Sequence, residues 1–521
     1  MNGNTAFVDK AVVAFVTLSL AATAGFGVAV ANDYSQRGQQ STAATTADNG
    51  TTADNTATTD NGSNPTTTSG GGGGGGTTTT TTTGGGSGGS ASSPAQAVAN
   101  SQAASGVTGD KILVGGIFDM TGPVDSSVER DTVRAYFAKI NDAGGINGRK
   151  LVLLPCDGYY DEVHSHQCAL TMVDNHVLAM VGDTFPGGEN DQVPFLNKEG
   201  IPTIGGLGVP HEYDNALSYP VSPSFAFSGN ALAAQIKQVQ QTSPFYRKPA
   251  ILYISDVDWV QPVIKAVETS LKAIGVTPTH VEGASATNDP DYTQHVANLI
   301  SKDDGDPPNG VSPAACSNKE SPAQNACPDS LIAATDPFSY TKLFQAMDRV
   351  GWHPPIVAGG LDKGNVQSLY SDQLGCGACG ETSNNTSSPT DRSRQAMSST
   401  PFVSPLDPAQ ANNPTVKDYL DSMNKYFPSQ VPALDVYTQI AWTSAQVFVE
   451  ALKEAGSNVT RESLVAALNK MQNFDTGWST KISYSPGGGH DPNHCYYFIR
   501  HDPKSFDQGG TWRQYTGLQC L

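Results

Sequence analysis

The chain has 521 residues and a formal net charge of −19, from 30 Lys and Arg against 49 Asp and Glu. No basic cluster or basic-aromatic strip breaks that balance, which excludes nucleic acid as a partner and favours solubility over close approach to an anionic bilayer. The length allows two or three domains, although a long low-complexity tract removes part of it from any folded core.

Residues 11–31 form an apolar run without a formal charge. Two readings stand side by side. As a signal peptide, the run ends in the small-x-small pattern Ala29-Val30-Ala31, so that the mature chain begins at Asn32. As an uncleaved membrane anchor, it is long enough to cross a bilayer as one helix. Either way the rest of the chain is extracytoplasmic, secreted or tethered at the cell surface. No Cys follows the run, which excludes a lipoprotein anchor. Residues 32–107 are almost entirely Thr, Gly, Ser, Ala, Asn and Asp, with 70–76 all Gly and 77–83 all Thr. Such a composition buries too little apolar surface to offset its ordering entropy and predicts a disordered linker. As a flexible tether it spans roughly 50 Å.

About 415 residues remain, enough for two lobes of ordinary size. Residues 112–118 are a short apolar run rich in β-branched side chains and read as a buried strand. The run stops at the turn cluster Asp119-Met-Thr-Gly-Pro123, and helical spacing follows through Val128, Val133, Phe137 and Ile140. Strand, polar turn and helix open an α/β unit, and the unit repeats. Strands at 150–155, 177–181 and 201–204 alternate with helices, the last two strands ending in Gly-rich turns at 182–188 and 205–210. A second series begins near Phe225, with helix 226–241, strand 250–254, helix 260–274, strand 277–281 and helix 292–301. A polar insertion at 303–329 precedes strand 330–334, helix 338–350 and strand 356–358. This alternation predicts parallel sheets covered by helices on both faces, and two series predict two lobes.

All eight Cys lie in this folded part, and an even number in an exported chain points to disulfides. Local pairing joins Cys156 to Cys168, Cys316 to Cys327, Cys376 to Cys379 and Cys495 to Cys520, one connectivity among roughly 105. Metal is the alternative, on His164-Ser-His166-Gln-Cys168, on His490 with His494-Cys495, and on the C-x-x-C at 376–379. A structural zinc site joins two such pairs, however, and only one C-x-x-C occurs, so neither metal nor cofactor is expected. No G-x-S-x-G elbow, Walker loop or H-E-x-x-H occurs, and no spacing sets a nucleophile beside its base, so the chain is not read as an enzyme.

In open α/β sheets ligands bind outside the carboxyl ends of the strands, where backbone N–H groups at helix starts suit an anion. The turns at those ends supply the candidate ligand-binding residues. The first series offers Asp119, Thr121, Thr184, Phe185, Gly187, Leu207 and Gly208, and the second offers Asp256, Trp259, Asp336 and Asp362. Asp119 and Thr121 read equally as a turn or helix cap, Asp336 before Pro337 as a helix start, and Phe185 and Trp259 as packing.

From about residue 108 onward the chain resembles the type I periplasmic binding protein family, in particular the leucine/isoleucine/valine-binding branch of ABC-transporter receptors. The likeness is carried by Ile112…Thr121-Gly-Pro123, Ile140-Asn-Asp-Ala-Gly-Gly-Ile-Asn-Gly148, Asn197-Lys-Glu-Gly-Ile-Pro202 and the strand–turn–helix at 253–261. Near the end, 477–489, Tyr496-Tyr-Phe-Ile499 and Thr511-Trp512 add to it. The resemblance implies two doubly wound lobes joined by three crossings, near 218–224, 398–404 and 476–485, with a ligand in the cleft between. It assigns 108–223 and 405–475 to lobe 1, 224–404 and 476–521 to lobe 2, and the apolar segment 434–452 to the first. It also implies hinge closure on the ligand and recognition of the closed form by a permease. The α-amino-acid clamp of that branch is not matched. Pro186-Gly187-Gly188 stands where Ser or Thr takes the carboxylate, and Leu207-Gly208-Val209 where Ala and Thr stand. The acidic partner of the ammonium, Asp362, comes one position late, after Leu361. Thr184 and Asp362 remain to serve, and an amino acid, an amide or another small organic solute stays open as ligand. The expected function is capture of a small organic ligand for an ABC-type permease; the alternative is a cell-surface structural or sensory protein with this fold and no transport.

Overall fold

The structure is a computed structural model that describes residues 105–122, 124–241, 245–257, 260–300, 328–352, 354–358, 397–405, 407–487, 490, 494–502, 511–514 and 516–520. The apolar run 11–31, the linker before residue 105, Cys316, Cys327, Cys376, Cys379, Trp259 and Asp362 lie outside the described residues. Among the described residues, no helix is long and apolar enough to cross a membrane.

The first sheet comprises β1 (Lys111–Phe118), β2 (Lys150–Asp157), β3 (Met180–Val181), β4 (Thr203–Ile204) and β5 (Ser218–Tyr219), all parallel, in the order β2-β1-β3-β4-β5. Ile112, Val114, Ile117 and Phe118 are fully buried, so β1 is covered on both faces, as a near-continuous apolar strand requires. Regular β3 is shorter than the expected 177–181, yet the Leu178 N–H reaches the Leu113 carbonyl and the Gly115 N–H the Ala179 carbonyl, both at 2.9 Å. The cover is built from α1 (Ser127–Asp142), α2 (Glu162–Asp174), α3 (Glu189–Lys198) and α4 (His211–Asp214). Between α1 and β2, Gly144, Gly145, Asn147 and Gly148 all have positive φ. A Cβ on Gly145 would lie 2.1 Å from the Arg149 carbonyl oxygen, so only Gly fits there.

The second series contains α5 (Phe225–Val239), β6 (Pro249–Ile254), α6 (Val260–Ala273), β7 (Val281–Ala284), α7 (Thr293–Leu299), β8 (Ser330–Ala334), α8 (Pro337–Val350), β9 (Ile356–Ala358) and β10 (Met397–Thr400). Strands β11 (Cys495–Asp502), β12 (Thr511–Gln514) and β13 (Gln519–Cys520) complete its sheet, ordered β12-β11-β10-β9-β8-β6-β7 with β13 on β11. The pairing is parallel as far as β10 and antiparallel at β11. β7 begins at Val281, whereas the sequence predicts a strand at 277–281. Val276 closes the end of α6 instead, its N–H on the Leu271 carbonyl beyond the positive-φ Gly275.

Helices α9 (Pro414–Tyr426), α10 (Val436–Ala455) and α11 (Arg461–Lys470) follow the second crossing. A capping box of Asp435 and Thr438 starts α10. The helix is buried over 13 of its 20 residues and packs with α1, the Trp442 ring standing edge-on to Tyr136 at 4.7 Å. A helix apolar nearly all round is a core element, which is why 434–452 sits with the first lobe. Trp478, Ile482 and Tyr484 join the same core, and the Tyr484 hydroxyl donates to the Pro220 carbonyl at 2.9 Å. The chain therefore stays packed on the first lobe through Tyr484 before entering β11. Cys156 is bonded to Cys168 and Cys495 to Cys520, as local pairing predicts.

Candidate ligand-binding site

Side chains from both lobes line one cavity of about 260 Å³. The first lobe contributes Ser126 and Glu129 at the start of α1, Tyr160 after β2, Thr184 after β3 and Leu207 after β4. Tyr437 and Ile440 of α10 close that side, and Ser222 and Ser398 come from the crossings. The second lobe contributes one face of α6, the end of β8 through Asp336, and Leu232 and Gln235 of α5. Gln235 donates to the Ser398 carbonyl at 2.9 Å, tying α5 to the second crossing.

Of the candidate residues, Thr184, Leu207 and Asp336 line this cavity. Thr184 is fastened to β1 at both ends of its peptide, its N–H on the Ile117 carbonyl and its own carbonyl accepting from the Asp119 N–H. Asp336 also caps α8, accepting from the Ser339 N–H at 3.0 Å and the Ser339 hydroxyl at 2.6 Å. The other described candidates hold the turns together. Asp119 is fully buried; one carboxyl oxygen accepts from the Tyr160 N–H at 2.8 Å and the other from the Gly187 N–H at 3.5 Å. Burial pushes its carboxyl up to about 7 against the lowering effect of those two bonds. Phe185 packs into the core with Ile117, Met172 and Leu196. Thr121 is exposed and donates to Asp157 at 2.8 Å. Gly208 donates its N–H to Glu212 at 2.9 Å. Asp256 accepts four hydrogen bonds, from the Ser285 hydroxyl, the Ala286 N–H and both the N–H and hydroxyl of Thr287. Burial acts to raise its pKa, but these bonds outweigh it and leave the carboxyl below its ordinary value. A turn at a strand end needs acceptors for its own N–H groups, and Asp at such a position serves the turn before any ligand.

Tyr160 is the contact that sequence reasoning missed. It belongs to the first lobe, yet its ring packs against the apolar core of the second. Tyr159 and Tyr160 both have positive φ, 60° and 55°, a conformation that costs on the order of 1 kcal/mol or more per residue. The Asp119 carboxyl bound to the Tyr160 N–H holds that conformation. Burial raises the Tyr160 hydroxyl pKa well above normal, and Asp336, Asp119 and Asp256 add to the effect, so it remains a neutral donor. The signal was available: Gly158-Tyr159-Tyr160 follows β2 at the same sheet edge as the other turns.

A second feature with no sequence signal lies beneath Leu207. Glu189 accepts from the Leu207 N–H at 3.0 Å, and buried Glu212 takes the next N–H. Burial and the neighbouring Glu212 raise Glu189 well above the carboxylate range, and burial pushes Glu212 up to about 7, so a protonated Glu189 hydrogen-bonds to Glu212. Two acids from α3 and α4 thus fix the turn that presents Leu207 to the cavity. Among the described residues, no cluster of three His, Cys, Asp or Glu is placed to hold a metal ion.

The family described as "Periplasmic binding protein" matches residues 111–305 and 307–509. No curated protein matches the chain. Similar solved structures include a fatty acid ABC transporter substrate-binding protein from Thermomonospora curvata, at 16% identity and a TM-score of 0.60, over 78% of this chain and 92% of that one. A substrate-binding periplasmic protein from Ralstonia solanacearum matches at 16% identity and 0.60, over 78% and 100%. A branched-chain amino acid ABC transporter protein from Thermus thermophilus with bound valine matches at 13% identity and 0.60, over 80% and 98%. With two parallel-sheet lobes, three crossings and a cavity lined from both, the chain belongs to the periplasmic binding protein family and has the type I fold of its leucine-binding-like members.

Proposed function

We propose that the chain is an extracytoplasmic, non-catalytic binding protein that captures a small organic solute between its lobes and presents it to an ABC-type permease. The observation that carries this reading is the cavity itself, lined by both lobes and spanned by Tyr160. A ligand touching both sides favours the closed arrangement by its differential affinity for it. The units expected to move are 108–223 with 405–475 against 224–404 with the end of the chain, the stretch through Tyr484 staying with the first lobe on which it packs. Thr184, Leu207, Asp336 and Tyr160 are the contacts favoured by position, and Trp259 and Asp362 are kept as candidates on sequence grounds. The two disulfides suit an exported protein, with residues 11–31 serving as signal peptide or anchor. The Thermomonospora protein is described as a fatty acid transporter component and the Thermus structure holds valine; both solutes have an apolar part, and aliphatic side chains such as Val263, Ile264 and Val267 line part of this cavity.

A thermal-shift screen of amino acids, amides, organic acids and hydrocarbon-bearing solutes tests the reading. A ligand at a hundred times its Kd stabilises the native state by about 2.7 kcal/mol, a shift readily seen. Small-angle scattering with and without the hit then reports closure. If no solute in a broad screen raises the melting temperature, capture is abandoned and the surface or sensory alternative takes its place.

A further inference from the structure

The turn after β4 hangs its N–H groups on acids. The Leu207 N–H donates to Glu189 at 3.0 Å and the Gly208 N–H to Glu212 at 2.9 Å, so two successive amides of the cavity wall depend on two carboxyl groups. Glu189 is fully buried and Glu212 only 1% exposed. The two face each other beside Gly206, which has φ +109°. A Cβ there would lie 2.4 Å from one Glu212 oxygen and 2.6 Å from one Glu189 oxygen, so both oxygens close on the same point. That Glu189 oxygen takes the Leu207 N–H, whereas the buried Glu212 oxygen receives no N–H or O–H from the described residues. A bare buried acceptor is unfavourable, and two bare carboxylates this close repel. One proton between them removes both penalties: Glu189 donates, Glu212 accepts, and both carboxyl groups still hold the turn.

The surroundings favour keeping that proton. Asp183, buried after β3 and accepting the Ile117 N–H at 2.8 Å, adds negative charge that acts on both acids. Asp119 takes the Gly187 N–H at 3.5 Å on the turn before α3. On α2, α3 and α4, Glu162, His164, His166, Asp191, Lys198 and Asp214 are exposed, and half-buried His211 donates its N–H to Asn190 at 3.2 Å. Arg461 of α11 donates to the Val177 and Glu199 carbonyls, and α10 presents the uncharged Ser444 to Gly205.

We propose that one proton shared by Glu189 and Glu212 latches the 205–210 turn, holding Leu207 against the cavity until alkaline pH removes it. The latch is complete at low pH and opens as pH rises, because two buried like charges then push apart the helix starts that carry the turn. Glu189 and Glu212 are thus positioning residues, acting on the cavity through Leu207. The latch serves the capture proposed above and rests on it for its use. Its test needs no solute, so failure of the latch leaves capture standing, and a failed solute screen leaves the latch standing.

Hydrogen–deuterium exchange of the full-length chain, corrected for the intrinsic rate at each pH, follows the turn and β1 as separate peptides from about pH 6 to about pH 10. In wild type, protection of the turn is expected to fall at least tenfold more than that of β1. Glu212→Gln keeps both bonds without a proton, since its amide donates to Glu189 and its oxygen accepts from Gly208. In that variant the turn and β1 are expected to change together, within threefold. Glu189→Gln donates to Glu212 in the same way and replaces the first variant if that one does not fold; if neither folds, the wild-type comparison decides by itself. A wild-type turn that loses no more protection than β1, or a folded variant whose turn falls as in wild type, overturns the latch.

Discussion

Asp119 and Glu212 are buried in the first lobe, and burial pushes each carboxyl up to about 7. Their pKa values in the unfolded chain lie near 4. A group whose folded pKa is raised contributes stability that is fully present below the unfolded pKa and is lost as pH rises through the folded one. The first lobe is therefore expected to weaken as pH rises from 4.5 through 7, and the fall continues beyond because burial also holds Asp183 and Glu189 well above the carboxylate range. At about 1.4 kcal/mol per pH unit and per group, that window is worth about 3 kcal/mol for each carboxyl. Groups held below their ordinary value, such as Asp256, act only under pH 4 and leave the window clear. Urea denaturation at constant ionic strength, from pH 5 to 8.5, reads the effect as a falling midpoint. Glu212→Gln keeps an oxygen for the Gly208 N–H and an amide for Glu189 but cannot ionise, so its midpoint falls less steeply. A wild-type midpoint that is flat or rises over this range, or an equal slope in the variant, refutes the argument from burial.

Gly205 has φ +96°, and a Cβ there would lie 1.9 Å from the Ser444 hydroxyl oxygen. Gly205→Ala is expected to cost about 3 kcal/mol from strain and overpacking together, with part recovered by adding Ser444→Gly; an unchanged melting temperature would contradict the close seating of α10 on β4. Replacing Cys156 and Cys168 by Ala removes a cross-link spanning 12 residues, and chain entropy puts the loss at about 3 kcal/mol in urea titrations. No change in midpoint would show the bond to be dispensable. Tyr160→Ala is expected to weaken a captured ligand at least tenfold, and Tyr160→Phe much less, because the ring spans the lobes; equal affinities in titration calorimetry would remove it from the site.

The order of strands and helices was legible because each depends on residues close in the chain. Ser330–Ala334 and Ile356–Ala358 stand where their apolar runs put them. The strand expected at 277–281 starts only at Val281, because the residues before it follow the helix end closed at Val276. The strand-end rule pointed to turns from which Thr184, Leu207 and Asp336 line the cavity. It did not separate them from Asp119 or Asp256, whose carboxyl groups are taken up by turn N–H groups. An Asp beside a Gly turn has the same composition whether it faces inward or outward. Glu189 and Glu212 look like ordinary surface acids on short helices, and nothing in their spacing shows that α3 and α4 bring them together.

Apolar alternation, Gly and Pro punctuation and neighbouring Cys determined two α/β lobes with their strand-end turns and two of their cross-links, because these properties are local. Tertiary structure alone decided which turn residues face the cavity, that Tyr160 crosses between lobes, and that the void runs into the second lobe. Each of those depends on a contact between segments far apart in the chain. Leu232, Val263 and Val357 read as three unrelated core positions until α5, α6 and β9 come together and leave the space between them unfilled.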